Sequence, residues 1–309
     1  MRRLLALALA AATLAGCGVG PGESQESEGS LTVTRDFGEQ SLGRHRVGSV
    51  SDSDTVMRLL QRDFEVRTRF GGGFVQEIDG VAGGRDGGSR VDWFYYVNGI
   101  EADRGSAERK VLPGERIWWD HHDWSATMRV PAVVGSFPEP FVTGSEGRRL
   151  PVRLVCLEAD EACDEVETRL QQAGIEDIGR SVLEQSAGRE VLRVLVGPWS
   201  EVRRDTAARK LESGPEASGV YARPDRSGRR IELLDERGRE ARVLGPGGGL
   251  LAATRIEAQQ PTWIVTGADE TGVAAAAAAM TEEELQDHFA IAIEEGRTVP
   301  LPLVEEPQP

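Results

Sequence analysis

Four aromatic residues in a row run directly into Asn-Gly, in the stretch Trp93-Phe94-Tyr95-Tyr96-Val97-Asn98-Gly99. Asn-Gly favours a tight hairpin turn because both residues tolerate positive φ. The stretch therefore reads as a strand ending in a hairpin, with Trp93, Tyr95 and Val97 on one face and Phe94, Tyr96 and Asn98 on the other. A strand with one solvated face has no use for aromatic groups on both. One face is expected to meet a core and the other a partner or ligand. A second aromatic run, Ile117-Trp118-Trp119-Asp120-His121-His122-Asp123-Trp124, follows the turn-forming Leu112-Pro113-Gly114-Glu115. Trp93, Trp118, Trp119 and Trp124 are four of the six tryptophans in the chain, so recognition is expected here.

The flanking sequence builds an α+β unit around these strands. Residues 31–34 read as a strand, and Ser53 or Asp54 can cap a short helix with Val56, Leu59 and Leu60 on its apolar stripe. Residues 66–70 and 74–78 read as strands around Gly71-Gly72-Gly73, and a last strand runs from Arg116 to Trp124. One helix on a mixed sheet is a β-grasp-like arrangement. Residues 128–149, broken by Pro131, Pro138, Pro140, Gly144 and Gly147, read as a connector. From residue 150 to 300 the pattern becomes α/β: strand 152–156, helix 161–172, strands 178–184 and 190–196, a Ser200-capped helix to about 212, and strand 219–223. That βαββαβ order predicts a ferredoxin-like arrangement. A hairpin (229–235 and 239–244), a loop from Gly245 to Gly249, a strand at 263–267, an Ala-rich helix at 271–280, a Thr281 capping box and a strand at 289–293 follow, with 301–309 as a tail.

The Gly-Gly-Gly-Phe-Val-Gln-Glu-Ile-Asp-Gly segment (71–80), then Trp93–Gly99, then Pro113-Gly114-Glu115-Arg116-Ile117-Trp118-Trp119 resemble, in that order, the small C-terminal domain of transcobalamin and intrinsic factor. A bacterial family of extracytoplasmic proteins shares that domain. The resemblance spans residues 31–127 and departs from the pattern at Glu115, where Asp is usual, and in the Gly-rich loop 83–88. It implies a non-catalytic module that covers one side of a cobalamin-like corrinoid. In the animal carriers an α/α-barrel covers the other side, and no run of paired amphipathic helices of that size occurs here. The implied partner is a second extracytoplasmic binding protein or a membrane transporter. Trp93, Tyr95 and Trp119 suit core and binding surface equally. Tyr96, Trp118 and Trp124 are the better surface candidates, and with Tyr95 and Asn98 they form the candidate ligand-binding set for a small molecule or a partner protein.

The N-terminus points to a compartment. Met1-Arg2-Arg3 is a basic n-region, and Leu4–Leu14 is an apolar run too short to span a bilayer. Leu14-Ala15-Gly16-Cys17 resembles the bacterial lipobox, which implies a diacylated Cys17 as the first mature residue and a chain anchored to the outer face of the cell membrane. The alternative is an ordinary signal peptide with an incidental Cys. Residues 18–30 read as a polar tether. With Cys17 assigned to lipid, Cys156 and Cys163 remain, an even pair in an oxidising compartment. A structural disulfide is expected over a redox pair or metal ligands, because the spacing is not Cys-x-x-Cys and no His lies nearby. The net charge of −15 argues against nucleic acid as a partner.

Other candidate sites carry less. In Asp120-His121-His122-Asp123, a strand pairs Asp120 with His122 and His121 with Asp123, and either pair supplies two ligands where zinc wants three or four. They read as polar residues at a strand end, or as a weak ligand to a corrinoid cobalt. Leu192–Trp199 and the following helix faintly resemble the peptidoglycan-binding SPOR module. The alternative function is therefore an envelope module that binds wall glycan through the C-terminal region. Thr266-Gly267-Ala268-Asp269 could offer backbone N–H groups to an anion. No Ser-His-Asp set, nucleophile elbow or P-loop pattern is present, so the chain is not expected to be an enzyme. No cofactor is expected beyond the corrinoid as ligand.

Overall fold

The computed structural model describes residues 29–69, 72–86, 88–183, 188, 190–257 and 259–304. Cys17, the lipobox and most of the tether lie outside these residues. The molecule is mixed α and β and rich in strands, with several sheets.

The first unit runs β1 (Gly29–Arg35), β2 (Gln40–Val47), α1 (Val56–Asp63), β3 (Val66–Arg69), β4 (Phe74–Ile78), β5 (Val81–Ala82), β6 (Gly84–Asp86), β7 (Ser89–Val97), β8 (Ile100–Glu101) and β9 (Arg116–Asp123). Its main sheet has the order β2-β1-β9-β7-β6, with β8 also beside β7. β1 lies parallel to β9, whereas β7 pairs antiparallel with it, Tyr95 opposite Trp119 and Tyr96 opposite Trp118. β3, β4 and β5 form a small separate sheet. The turn after β7 follows from its sequence, with Asn98 at φ 53° and Gly99 at φ 74°. The cap of α1 is Thr55, whose side chain accepts from Arg58 N, rather than Ser53 or Asp54. Asp54 is spent instead on Ser51 N (2.8 Å) and on Arg62.

Strand alternation decides what each face of this sheet meets. Leu31, Val33, Trp93, Tyr95, Val97, Ile117 and Trp119 share a core with Val56, Met57, Leu59 and Leu60 of α1. Tyr96 and Trp118 turn the other way into a second core, with Phe94 packed against it. That second core joins them to Phe37, Phe289 and the apolar residues of the C-terminal unit. The strand is aromatic on both faces because both faces are covered.

The C-terminal unit runs β10 (Val152–Cys156), α2 (Asp160–Gln172), β11 (Ile178–Arg180), β12 (Leu192–Pro198), α3 (Trp199–Val202), α4 (Pro215–Ser218), β13 (Ala222–Pro224), β14 (Ile231–Leu234), β15 (Glu240–Leu244), β16 (Gly249–Thr254), β17 (Thr262–Gly267), α5 (Glu270–Ala278), α6 (Glu282–Leu285), β18 (Ala290–Glu294) and β19 (Arg297–Leu301). Seven strands form one sheet in the order β11-β10-β12-β17-β16-β18-β19. β11, β10, β12 and β17 are mutually parallel, and antiparallel pairing begins at β16. This is not the antiparallel pairing that the ferredoxin-like expectation required. α2 carries the chain across the sheet, so β11 returns parallel to β10. β13, the expected last strand of that pattern, joins β14 and β15 in a separate three-stranded sheet.

The expected helix 200–212 is also divided, into α3 and a 3-10 helix at Ala208–Ser213. Asp205 stands at the break, accepting from Ala207 N at 2.7 Å and pairing with the buried Arg193 at 2.6 Å. Side chains of the large sheet alternate between two cores. Val194, Val196, Trp263 and Val265 face α2 and α5, and Leu195, Ile264, Leu250 and Ala252 face the second core. The Ala-rich α5 sits backbone-close to the sheet: a Cβ on Gly249 would lie 2.4 Å from the Gly272 carbonyl.

The stretch 128–149 is packed, not a free linker. Val130 and Val133 enter one core, and Ala132, Val134, Phe137 and Phe141 enter the other. Val133 N donates to Gly99 O at 2.9 Å, and Val134 N donates to Phe289 O at 3.1 Å, so the stretch ties the hairpin to β18. The chain beyond Pro300 is likewise not all tail. Pro300 sits in β19 opposite Ile291, on a sheet edge where its missing N–H costs no ladder bond, and Leu303 N bonds Leu234 O. Cys156 and Cys163 form a disulfide that links the end of β10 to the start of α2.

Candidate binding site

Most of the candidate residues read from sequence are occupied structurally. Tyr96 is fully buried and Trp118 is 2% exposed; their rings lie 5.6 and 5.2 Å from the Phe289 ring, in the seam between the units. They are not surface, because the C-terminal unit supplies the cover that a reading of residues 31–127 alone leaves out. Trp118 Nε1 donates to Thr34 Oγ1 at 2.7 Å. Asn98 is consumed by the turn it makes. Its Nδ2 donates to Thr143 Oγ1 (2.9 Å) and Gly144 O (2.8 Å), and its Oδ1 accepts from Arg116 N (2.8 Å). Trp124 keeps part of its surface, with the Arg90 guanidinium 4.1 Å over its ring.

The polar run Asp120-His121-His122-Asp123 is largely committed too. Asp120 is wholly buried and accepts four hydrogen bonds: from Thr34 Oγ1 (2.5 Å), Phe37 N (3.2 Å), Gly38 N (2.9 Å) and His122 Nδ1 (2.8 Å). Those fill the acceptor positions of a carboxylate. The His122 ring is sandwiched between Phe37 at 4.7 Å and Phe94 at 4.5 Å. His121 donates from Nε2 to Ala82 O at 3.2 Å, and burial pulls its pKa down. Asp123 Oδ1 accepts from Ser125 N at 2.8 Å. Among the described residues no three His, Cys, Asp or Glu side chains are grouped to hold a metal ion.

The C-terminal candidates resolve in the same way. Leu192–Pro198, on which the wall-binding reading rested, is a central strand, and Trp199 is fully buried. At the β17–α5 turn, Asp269 accepts from Gly272 N and Gly247 N, both at 2.9 Å, so a carboxylate already holds the place offered to an anion.

A cleft of about 220 Å3 is open on the margin of the first unit. Trp93, Tyr95 and Trp119 line it from the sheet, Phe74 from β4, and Gly105 and Ser106 from the loop after β8. Tyr95 stacks on Trp119 with ring centroids 4.8 Å apart. The Tyr95 hydroxyl donates to Arg104 O at 2.5 Å, and burial pushes its pKa up to about 12, so it stays neutral. Trp93 Nε1 is satisfied by Val81 O at 3.0 Å. Trp119 Nε1 is buried with no acceptor among the described residues, and buried indole N–H groups usually have one. Phe74 is 36% exposed, one of few large apolar side chains so placed. Sequence reasoning missed it because strict alternation puts Phe74 on the face of the inward Ile78; the irregular β3–β4 pairing beside Gln76 instead buries both Val75 and Ile78 and leaves Phe74 outward.

Residues 53–123 match a domain family of unknown function, DUF4430. No curated protein matches the chain. Among solved structures it is similar to a 1.30 Å crystal structure of a Ruminococcus gnavus protein described as a candidate metal binder, at 15% identity and a TM-score of 0.25, covering 32% of this chain and 98% of that one. The cleft and its aromatic floor fall almost wholly inside the matched segment.

Proposed function

We propose that the chain is a non-catalytic binding protein, and that its ligand enters the aromatic cleft with a planar, apolar group. The observation that carries this is Phe74, partly exposed beside a floor of Trp93, Tyr95 and Trp119. The Phe74 ring offers stacking, and the aromatic lining beside it apolar burial, to a planar ligand. A transcobalamin-like role fits this cleft only in a narrower form. A corrin macrocycle is larger than this cleft, so a corrinoid would insert an edge or a side group here and need a second protein or transporter over its remaining surface. The lipobox resemblance supports a binder held at the outer face of a cell membrane by Cys17. No helix among the described residues is long and apolar enough to cross a membrane.

The test is a tryptophan-fluorescence titration of the full chain with p-cresol, indole, dicyanocobinamide and cobalamin, repeated with Phe74→Ala. Saturable quenching that Phe74→Ala weakens at least tenfold, with an unchanged melting temperature, supports the reading. No saturable change with any of the four, or equal binding by the variant, overturns it. Mass spectrometry of the mature N-terminus tests the anchor separately: a free, unacylated Cys17 or cleavage elsewhere would count against it.

A further inference from the structure

A second cleft, of about 250 Å3, lies on the other side of β8, where the two units and the stretch between them meet. Arg104 and Arg109 reach it from the first unit, Glu146 and Arg148 from the intervening stretch, and Arg255 and Gln260 from the β16–β17 loop. Most of these charges are committed. Arg109 pairs with Glu115 at 2.5 Å, Arg104 with Asp103 and Glu146, and Arg148 with Glu190 at 2.5 Å. Glu101, which also lines the cleft, pairs with Arg129 at 2.9 Å.

Two groups stand apart. Arg255 donates from Nε to Gln259 O at 2.6 Å and has no carboxylate within ion-pair distance among the described residues. Glu101 senses it only at longer range. Fixing Nε orients the guanidinium and leaves its terminal N–H donors, whose spacing matches a carboxylate. Gln260 lines the same cleft, and its Oε1 is buried and receives no hydrogen bond among the described residues. A buried acceptor left unmet is costly, and turning the Gln260 amide toward the cleft would let a ligand N–H meet it.

We propose that this inter-unit cleft binds a small carboxylate with a neighbouring N–H, the chemistry of an N-acylated amino acid or a peptide C-terminus. The carboxylate lies on Arg255, and the N–H donates to Gln260 Oε1. The volume falls below the roughly 300–1,000 Å3 of sites for drug-sized molecules, which limits the enclosed part to about one residue. Because its walls come from both units, occupancy would also brace the seam. The proposal does not rest on the aromatic cleft or its ligand, although Glu101 and Ala102 line both clefts.

Isothermal titration of the full chain with N-acetylglycine, acetate, N-acetylglycinamide and tetraglycine tests it. N-acetylglycine is expected to bind saturably, with acetate (no N–H) and N-acetylglycinamide (no carboxylate) at least tenfold weaker. Tetraglycine binding more tightly than N-acetylglycine would assign the site to chain ends, and equal binding to free N-acylated amino acids. Arg255→Gln should weaken N-acetylglycine at least tenfold while the melting temperature holds, and Arg297→Gln, an equal charge loss on a distant exposed residue, should not. Gln260→Leu should remove the preference for N-acetylglycine over acetate without weakening acetate. Absence of saturable binding by both N-acetylglycine and tetraglycine, equal affinity for the control ligands, or full binding by Arg255→Gln would overturn the proposal.

Discussion

Trp118 carries the largest consequence at the scale of one side chain. It packs against Tyr96 and Phe289 while its indole N–H holds Thr34, which in turn holds Asp120. Trp118→Ala should cost about 3–5 kcal/mol by the usual cavity penalty for a large aromatic residue. Urea unfolding of the full chain measures this, and a loss below about 1 kcal/mol would mean that the seam is loosely packed. Glu139 gives a pH signature. It is buried, accepts from Thr143 N at 2.9 Å, and burial pushes its carboxyl from about 4.5 up to about 7. The unfolded chain therefore ionises first as pH rises. The native state is most stable below about pH 4.5 with respect to this group, and loses up to roughly 3 kcal/mol by pH 7 and above. Glu139→Gln keeps an acceptor without the charge, so it should flatten the dependence of melting temperature on pH between about 5 and 8. An unchanged slope would remove Glu139 as its source.

At the scale of elements, the sequence was most readable where the signal is local. The Asn98-Gly99 turn, the two-faced β7, the Thr281-capped α6 and the β14–β15 hairpin all rest on residues within a few positions of one another. β16 and β19 were missed because their evidence lies elsewhere in the chain. Gly249–Thr254 reads as the end of a glycine loop until β17 and β18 flank it, and Pro300 is acceptable in a strand only once that strand is known to be an edge. Parallel order in the large sheet was unreadable for the same reason. The Cys156–Cys163 disulfide was readable from parity, since setting Cys17 aside leaves one pair. Closing so short a loop should contribute about 2.5 kcal/mol. Alkylation without reductant should label neither cysteine, and reduction should lower the melting temperature; free labelling of both in the native protein would refute the bond.

At the scale of the whole molecule, the candidate site moved because its cover moved. Reading residues 31–127 as a free-standing domain leaves Phe94, Tyr96 and Trp118 facing water, and a binding surface is then the natural inference. The seven-stranded sheet and Phe289 cover that face, and the stretch 128–149 packs into both cores. Alternation told which residues share a face but not what lies against it. The exposed aromatic group is on the opposite margin, Phe74, beside the buried rings of Trp93, Tyr95 and Trp119. The most direct measurement is the 1H–15N spectrum of the tryptophan indoles in the full chain during titration with p-cresol and with dicyanocobinamide. Binding in the cleft should shift the Trp119 and Trp93 resonances and leave Trp118, Trp199 and Trp263 in place. Shifts centred on Trp118 or Trp124, or none at any indole up to saturating concentrations of both probes, would contradict it.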